Sequence, residues 1–96
     1  MSQLYYTPPS QEMFDEVQKQ SIAIWRTYDN TYGYADEKVE KIKNIENVGD
    51  NFMYMIAMFD SANQTKLARS LSTEAKRAIS DRLVDGGTPD YFNHFL

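Results

Sequence analysis

The amino-acid sequence predicts an all-α fold: a small helical bundle built on a long helical hairpin, with a short helical pair at its C-terminal end. Apolar residues recur at steps of three and four along two long stretches, the spacing that holds one stripe of an α-helix against a partner. Serines stand where helices would start, and turn-forming clusters separate the periodic segments. At 96 residues the chain is expected to be a single domain, near the size at which one core is adequate but not generous.

The longest periodic stretch, 36–60, reads DEKVEKIKNIENVGDNFMYMIAMFD and organises the rest. Its Ile42, Ile45, Gly49, Phe52, Ile56 and Phe59 share one helical stripe. The stripe passes through Gly49 in phase, which favours one continuous helix despite a glycine cost of about 1 kcal/mol relative to alanine. The alternative is a break at 48–51, with Asp50 recapping a second helix. Over 52–59 a helix would be apolar nearly all round and must be buried on most sides. A buried strand also fits such a run, but Met and Ala are poor strand formers and the helical phase continues from the preceding segment. The run is far short of the ~20 residues that cross a bilayer.

Upstream, 1–9 reads as an extended arm because Thr7-Pro8-Pro9 disfavours helix. Ser10 is a suitable N-cap, followed by Glu12, Asp15 and Glu16, where the helix dipole favours negative charge. A first helix is expected over 11–28, with Phe14, Val17, Ser21, Ile24 and Tyr28 as its stripe and Met13 and Trp25 widening it. It pairs with the central stretch as an antiparallel hairpin through 29–35, where Gly33 can supply a positive φ. Trp25, Tyr28, Tyr32 and Tyr34 gather around this link. They form either a ligand cradle with tyrosine hydroxyls as polar handles or a cluster that closes the end of the hairpin.

Downstream, Ser61 with Gln64 fits a capping box and starts a third helix over 62–70. Ser72 caps a fourth over 73–84, which Gly86-Gly87 stops. Leu67, Leu71, Ala75, Ala78, Ile79 and Leu83 give this pair a narrow apolar stripe. In the tail, 88–96, Tyr91, Phe92, Phe95 and Leu96 would line one side of a short helical turn started by Thr88-Pro89. Such a tail either covers the core or docks into a partner or a second copy.

The charge pattern bounds the function. A net charge of -4 argues against non-specific nucleic-acid binding. That charge is uneven: residues 1–60 hold five Lys/Arg against ten Asp/Glu, and 61–96 hold five against four. The locally basic segment 64–80 resembles the helix-turn-helix family of DNA-binding segments in its Gln64, Leu67-Ala68, Leu71 and Ser-capped second helix. That resemblance implies phosphate or base contacts by Lys66, Arg69, Lys76 and Arg77. The sequence departs from the pattern at Ser72, where glycine is usual, and at Thr73 and Asp81, where apolar packing residues belong. Glu74 and Asp81 would also weaken phosphate attraction.

Catalysis is not expected. The one histidine, His94, lies in the tail, and acidic pairs such as Asp36/Glu40 sit on the exposed side of the central helix. A carboxylate metal centre would need Glu-x-x-His motifs converging inside a bundle. There is no glycine-rich phosphate loop, nucleophile elbow or dinucleotide fingerprint, so neither a cofactor nor a metal is expected. Without cysteine there is no disulfide framework and no thiol chemistry. No charged leader precedes an apolar run, so a cytoplasmic protein with no membrane partner is expected.

Met53, Tyr54, Met55 and Met58 add to an apolar surface that the narrow stripes of the other helices look too small to cover. At ~25 cal/mol per Å² of apolar area, leaving that surface in water is costly. The sequence therefore predicts a homodimer or higher homo-oligomer, with Phe52, Met55, Ile56 and Phe59 at its interface. Through WRTYDNTYGYADEKVEKIKNI and VGDNFMYMIAMFD the chain also resembles the small uncharacterised proteins carried by T4-like phages of marine cyanobacteria. That resemblance implies an accessory protein in the cytoplasm of an infected host, with no activity to transfer. The leading expectation is a non-catalytic, oligomerising helical module that modulates a host or phage protein. The alternatives are a DNA-binding regulator using 64–84 and a small-ligand binder using the tyrosine-rich loop 28–34.

Overall fold

The computed structural model describes residues 9–47 and 51–83, and all regular structure among them is helical. Five α-helices run in order: α1 (Gln11–Trp25), α2 (Tyr34–Lys43), α3 (Asn51–Ala57), α4 (Ser61–Ser70) and α5 (Thr73–Leu83), with one 3-10 turn (Thr31–Gly33) before α2. The all-α reading, the hairpin of the first two helices and the C-terminal pair are all present. The expected tail at 88–96, the Gly86-Gly87 stop and most of the N-terminal arm lie outside the described residues. Among the described residues no helix is long and apolar enough to cross a membrane.

Ser10 starts α1 as its chemistry demands, its hydroxyl accepting from the backbone N–H of Met13 at 3.2 Å. The helix ends earlier than the expected 28 because Thr27 competes for its carbonyls. The Thr27 hydroxyl donates to the Ile24 carbonyl at 2.6 Å, and the Thr27 and Tyr28 N–H groups close tighter three-residue turns on Ile24 and Trp25. The buried face of α1 is Phe14, Val17, Ser21, Ile24 and Trp25. Ser21 is fully buried, and its hydroxyl has no hydrogen-bond partner among the described residues.

The helix at the centre of the bundle is α1, since α2, α3, α4 and α5 all pack on it. This displaces 36–60 as the organising element. The expected continuous helix over 36–60 is not formed: α2 stops at Lys43, and Asn44 is its C-cap. The bend is built by side chains of α1 and of the turn itself. Gln18 donates its amide to the carbonyls of Ile42 (2.9 Å) and Ile45 (3.4 Å), capping the end of α2. Asn47 donates to the Pro9 carbonyl at 3.0 Å, tying the turn to the start of α1.

Length explains why the chain turns there. At 1.5 Å per residue a single helix over 36–59 would run about 36 Å, whereas α1 spans about 22 Å, so the apolar 52–59 segment would overshoot its partner into water. Instead α3 folds back beside α1. Phe52 at its start lies 6.5 Å from the Phe14 ring at the start of α1, and Phe59 just beyond its end stacks on Trp25 at the end of α1. Thus α3 runs parallel to α1 and antiparallel to α2.

The return into α4 is set by Asp60, not by Ser61 as the capping-box reading expects. The Asp60 carboxylate accepts from the backbone N–H of Asn63 at 3.0 Å, and Ser61 is the first helical residue. Gln64 points the other way, donating to the carbonyls of Ile56 (2.9 Å) and Phe59 (3.0 Å). It therefore pairs the Phe59 carbonyl just beyond α3 and adds a second donor to that of Ile56, which already accepts from the Phe59 N–H. Ser72 caps α5, its hydroxyl accepting from the Ala75 N–H at 3.1 Å.

The core holds Phe14, Val17, Ile24 and Trp25 of α1, Val39 and Ile42 of α2, and Leu67, Leu71, Ala75 and Ile79 of the C-terminal pair. Phe52, Met55, Ile56 and Phe59 belong to the same core, each between 0 and 4 % exposed. This corrects the sequence-based interface. The four side chains expected to meet a second copy are covered by one chain, because the short α3 lies against α1 and exposes only Tyr54 and Ala57 among its described side chains. Those four side chains, among the described residues, are thus absorbed within the protomer, while Tyr54 remains exposed.

Candidate interaction site at the tyrosine-rich end

The end of the bundle where α1 gives way to α2 carries an aromatic cluster centred on Trp25. Its indole stacks on Phe59 (centroids 5.2 Å apart, planes at 18°), lies 4.3 Å from Tyr28, and meets Tyr34 edge-on at 5.6 Å. Pairs of this geometry add about 0.5–1.5 kcal/mol each beyond the area they bury. Trp25 is 2 % exposed, and its indole N–H has no hydrogen-bond acceptor among the described residues. The cluster joins three parts of the chain, namely the end of α1, the start of α2 and the α3–α4 junction.

Of the four rings expected to form a ligand cradle, the structure brings Trp25, Tyr28 and Tyr34 together and leaves Tyr32 apart. Trp25 packs on Tyr28, Tyr34 and Phe59, so the rings close the end of the hairpin. Lys38 sits over the Tyr34 ring, 5.1 Å from its centroid, on the outward side. Tyr28 is half-buried, and burial is the first cause that raises its phenol pKa above 10.0; the negative charge of Asp60 adds to it. The Asp60 carboxyl is held below its ordinary 3.8, first by the Asn63 backbone N–H and then by the Asn63 side-chain amide.

Tyr32 is the exception in every respect. Its side chain is fully exposed (101 %), and its backbone is left-handed, with φ 62° and ψ 17°. Left-handed backbone costs a residue with a Cβ about 1–2 kcal/mol. Gly33 follows in the same region at φ 72°, with nothing within 4 Å of where a Cβ would stand. The turn is nonetheless well braced. Asn30 accepts from the Asp36 backbone N–H (3.0 Å) and donates to the Asp36 carboxylate (2.9 Å), while the Thr31 hydroxyl donates to Asp29 at 2.6 Å. These bonds explain how the strained conformation persists: short polar side chains at both ends hold the loop shut around Tyr32. Sequence reading named Tyr32 and Gly33 but had no signal for the Asn30–Asp36 clamp, which joins residues six apart through a turn whose shape was unknown.

The basic residues of the C-terminal pair are placed differently from a DNA-reading unit. Lys66, Arg69 and Arg77 are exposed and Lys76 is half-buried, with Glu74 and Asp81 exposed on the same α5. Only Leu71 and Ser72 separate α4 from α5, where DNA-binding helix pairs use a three- or four-residue turn. The N-terminus of α5, the end that would approach bases, is occupied. Glu16 of α1 accepts from the Ser72 backbone N–H at 2.6 Å and from its hydroxyl at 2.9 Å. Sequence reading placed Glu16 as a dipole partner of its own helix and missed this contact across the bundle.

Compared with protein-family models, with curated proteins and with solved structures, the chain matches none.

Proposed function

We propose that this chain is a non-catalytic helical protein-interaction module whose contact element is the braced loop carrying Tyr32, with the exposed half of Tyr34 beside it. The observation that carries the reading is the fully exposed aromatic ring on strained left-handed backbone. Strain of this kind persists where the surroundings over-determine it and is characteristic of functional sites. Tyrosine on a rigid loop offers a partner a large amphipathic contact at low entropic cost. A host or phage protein is the partner that the sequence resemblance to phage proteins suggests.

The alternatives have less support. A ligand cradle needs open space among Trp25, Tyr28 and Tyr34, and the Trp25 ring is packed against both tyrosines. A DNA-binding role for Lys66, Arg69, Lys76 and Arg77 has the Glu16 carboxylate at the critical helix end. The test is affinity capture from a host lysate. Tyr32→Ala should lose the protein that wild type captures, while Lys66→Ala/Arg77→Ala should keep it. A salt-sensitive gel shift lost in the second variant, with capture unchanged in the first, would transfer the function to the basic pair.

A further inference from the structure

A second surface, remote in character from the tyrosine loop, lies along the hairpin. An open groove of about 570 Å³ is lined along α1 and its C-cap by Ile22, Ala23, Lys19 and Arg26 and from the end of α2 by Lys43. Gln18 also lines it, its amide already committed to the carbonyls of Ile42 and Ile45. Only Asp15 supplies a carboxylate to the lining, so this is a locally cationic surface on a chain whose net charge is -4. Lys43 pairs with Glu40 at 3.6 Å across an exposed bridge, whereas Lys19 and Arg26 take part in no ion pair among the described residues.

The spacing of these groups is specific. Lys19, Ile22 and Arg26 step by three and four along α1 and its C-cap, beside the core stripe of Phe14, Val17, Ser21 and Ile24, with Ile22 half-buried against that core. They form a second seam of coiled-coil period, with cations two helical turns, about 10.5 Å, apart and apolar side chains between them. Two antiparallel helices with an open groove between them present the shape that a third helix fills.

We infer that this groove docks an acidic amphipathic helix of a partner protein, one with glutamates a heptad apart facing Lys19 and Arg26 and small apolar residues lying over Ile22 and Ala23. Charge complementarity selects an acidic helix over a basic one, and Ile22 and Ala23 in the lining select a helix with apolar side chains over a bare anion. This surface does not depend on Tyr32, and the two readings fail separately.

The test uses the full chain and a fluorescent synthetic helix bearing glutamates one heptad apart with alanine and leucine between them, followed by anisotropy at low salt. Binding is expected to weaken about ten-fold or more for Lys19→Glu/Arg26→Glu and to fall with added salt. The same peptide with lysines in place of glutamates should bind that double variant better than it binds wild type. Tyr32→Ala should leave the affinity unchanged. No binding of the glutamate peptide, or equal binding of both peptides to wild type, would overturn the inference. Displacement of the peptide by laurate or by oligothymidylate at matched charge would reassign the groove to a small anion or to nucleic acid. A dimer seen by light scattering and abolished by the double variant would reassign it to a second copy.

Discussion

Glu16 on α1 holds Ser72 by two hydrogen bonds, from the backbone N–H at 2.6 Å and from the hydroxyl at 2.9 Å, across 56 positions of sequence. This contact fixes the α4–α5 turn against the central helix and neutralises the start of α5. Charge-assisted bonds of this kind are worth about 1.5–3 kcal/mol when buried and less when partly exposed. Glu16→Ala is therefore expected to cost about 1 kcal/mol in urea denaturation. Ser72→Ala should cost about 1–2 kcal/mol, since it also removes the cap on Ala75. A double-mutant cycle should show a coupling of at least about 0.5 kcal/mol, and additive effects would mean that the contact carries no energy.

Two glutamines perform the same task at different helix ends, Gln18 at the end of α2 and Gln64 at the end of α3. Shortening Gln18 takes the side-chain donor from the partly buried Ile45 carbonyl and shortening Gln64 takes it from that of Phe59, while Ile42 and Ile56 keep the backbone N–H groups of Ile45 and Phe59. Gln18→Ala and Gln64→Ala should each lower stability by about 1–2 kcal/mol. Gln18 bonds Ile42 and Ile45 whereas Gln64 bonds Ile56 and Phe59, so the double variant should be close to additive. Retained stability in either variant would mean that water replaces the amide without loss.

Met55 is fully buried in the single chain, which sets a clear expectation for Met55→Glu. A glutamate there must be desolvated without a partner or protonated, so the variant should lose its helical circular-dichroism signal or collect as insoluble protein. A folded, soluble variant differing only in oligomeric state would restore the interface role expected from the sequence.

The pH dependence follows from Asp60. Its folded pKa is below the ordinary 3.8 because Asn63 donates to it, so its contribution to stability is complete above that value and is lost as pH falls through the lowered folded pKa. Asp60→Asn keeps an acceptor for the Asn63 N–H but no longer titrates. Wild type and this variant should differ by a constant amount above about pH 5, and the difference should shrink below pH 3.8. Tyr28 acts in the opposite direction: its raised pKa supports the fold below 10.0, and that support is lost as pH rises through the folded value.

The helical period along Phe14, Val17, Ser21 and Ile24 made α1 legible, and the serines at 10 and 72 made the starts of α1 and α5 legible, because these are local signals that tertiary packing left alone. The period from Ile42 to Phe59 was just as regular and misled, since it reports which residues face a core and not whether the chain reverses on the way. What decided the reversal was the length of α1 and the reach of Gln18 and Asn47, which are tertiary facts. The burial of Phe52, Met55, Ile56 and Phe59 by one chain was hidden for the same reason. The aromatic gathering at the loop was visible in sequence, whereas its division into three packed rings and one displayed ring depended on the Asn30–Asp36 clamp.

The central claim is that the loop holds Tyr32 on strained backbone in order to display it. Replacement by glycine separates strain from display: it relieves about 1–2 kcal/mol of left-handed strain and adds back about 0.5–1 kcal/mol of backbone entropy. Tyr32→Gly is therefore expected to be slightly more stable than wild type while losing its partner. The decisive measurement is capture of the host-lysate partner by Tyr32→Gly, on protein whose urea midpoint is at or above that of wild type. Lost capture at undiminished stability is the predicted result, and capture equal to wild type would contradict the account.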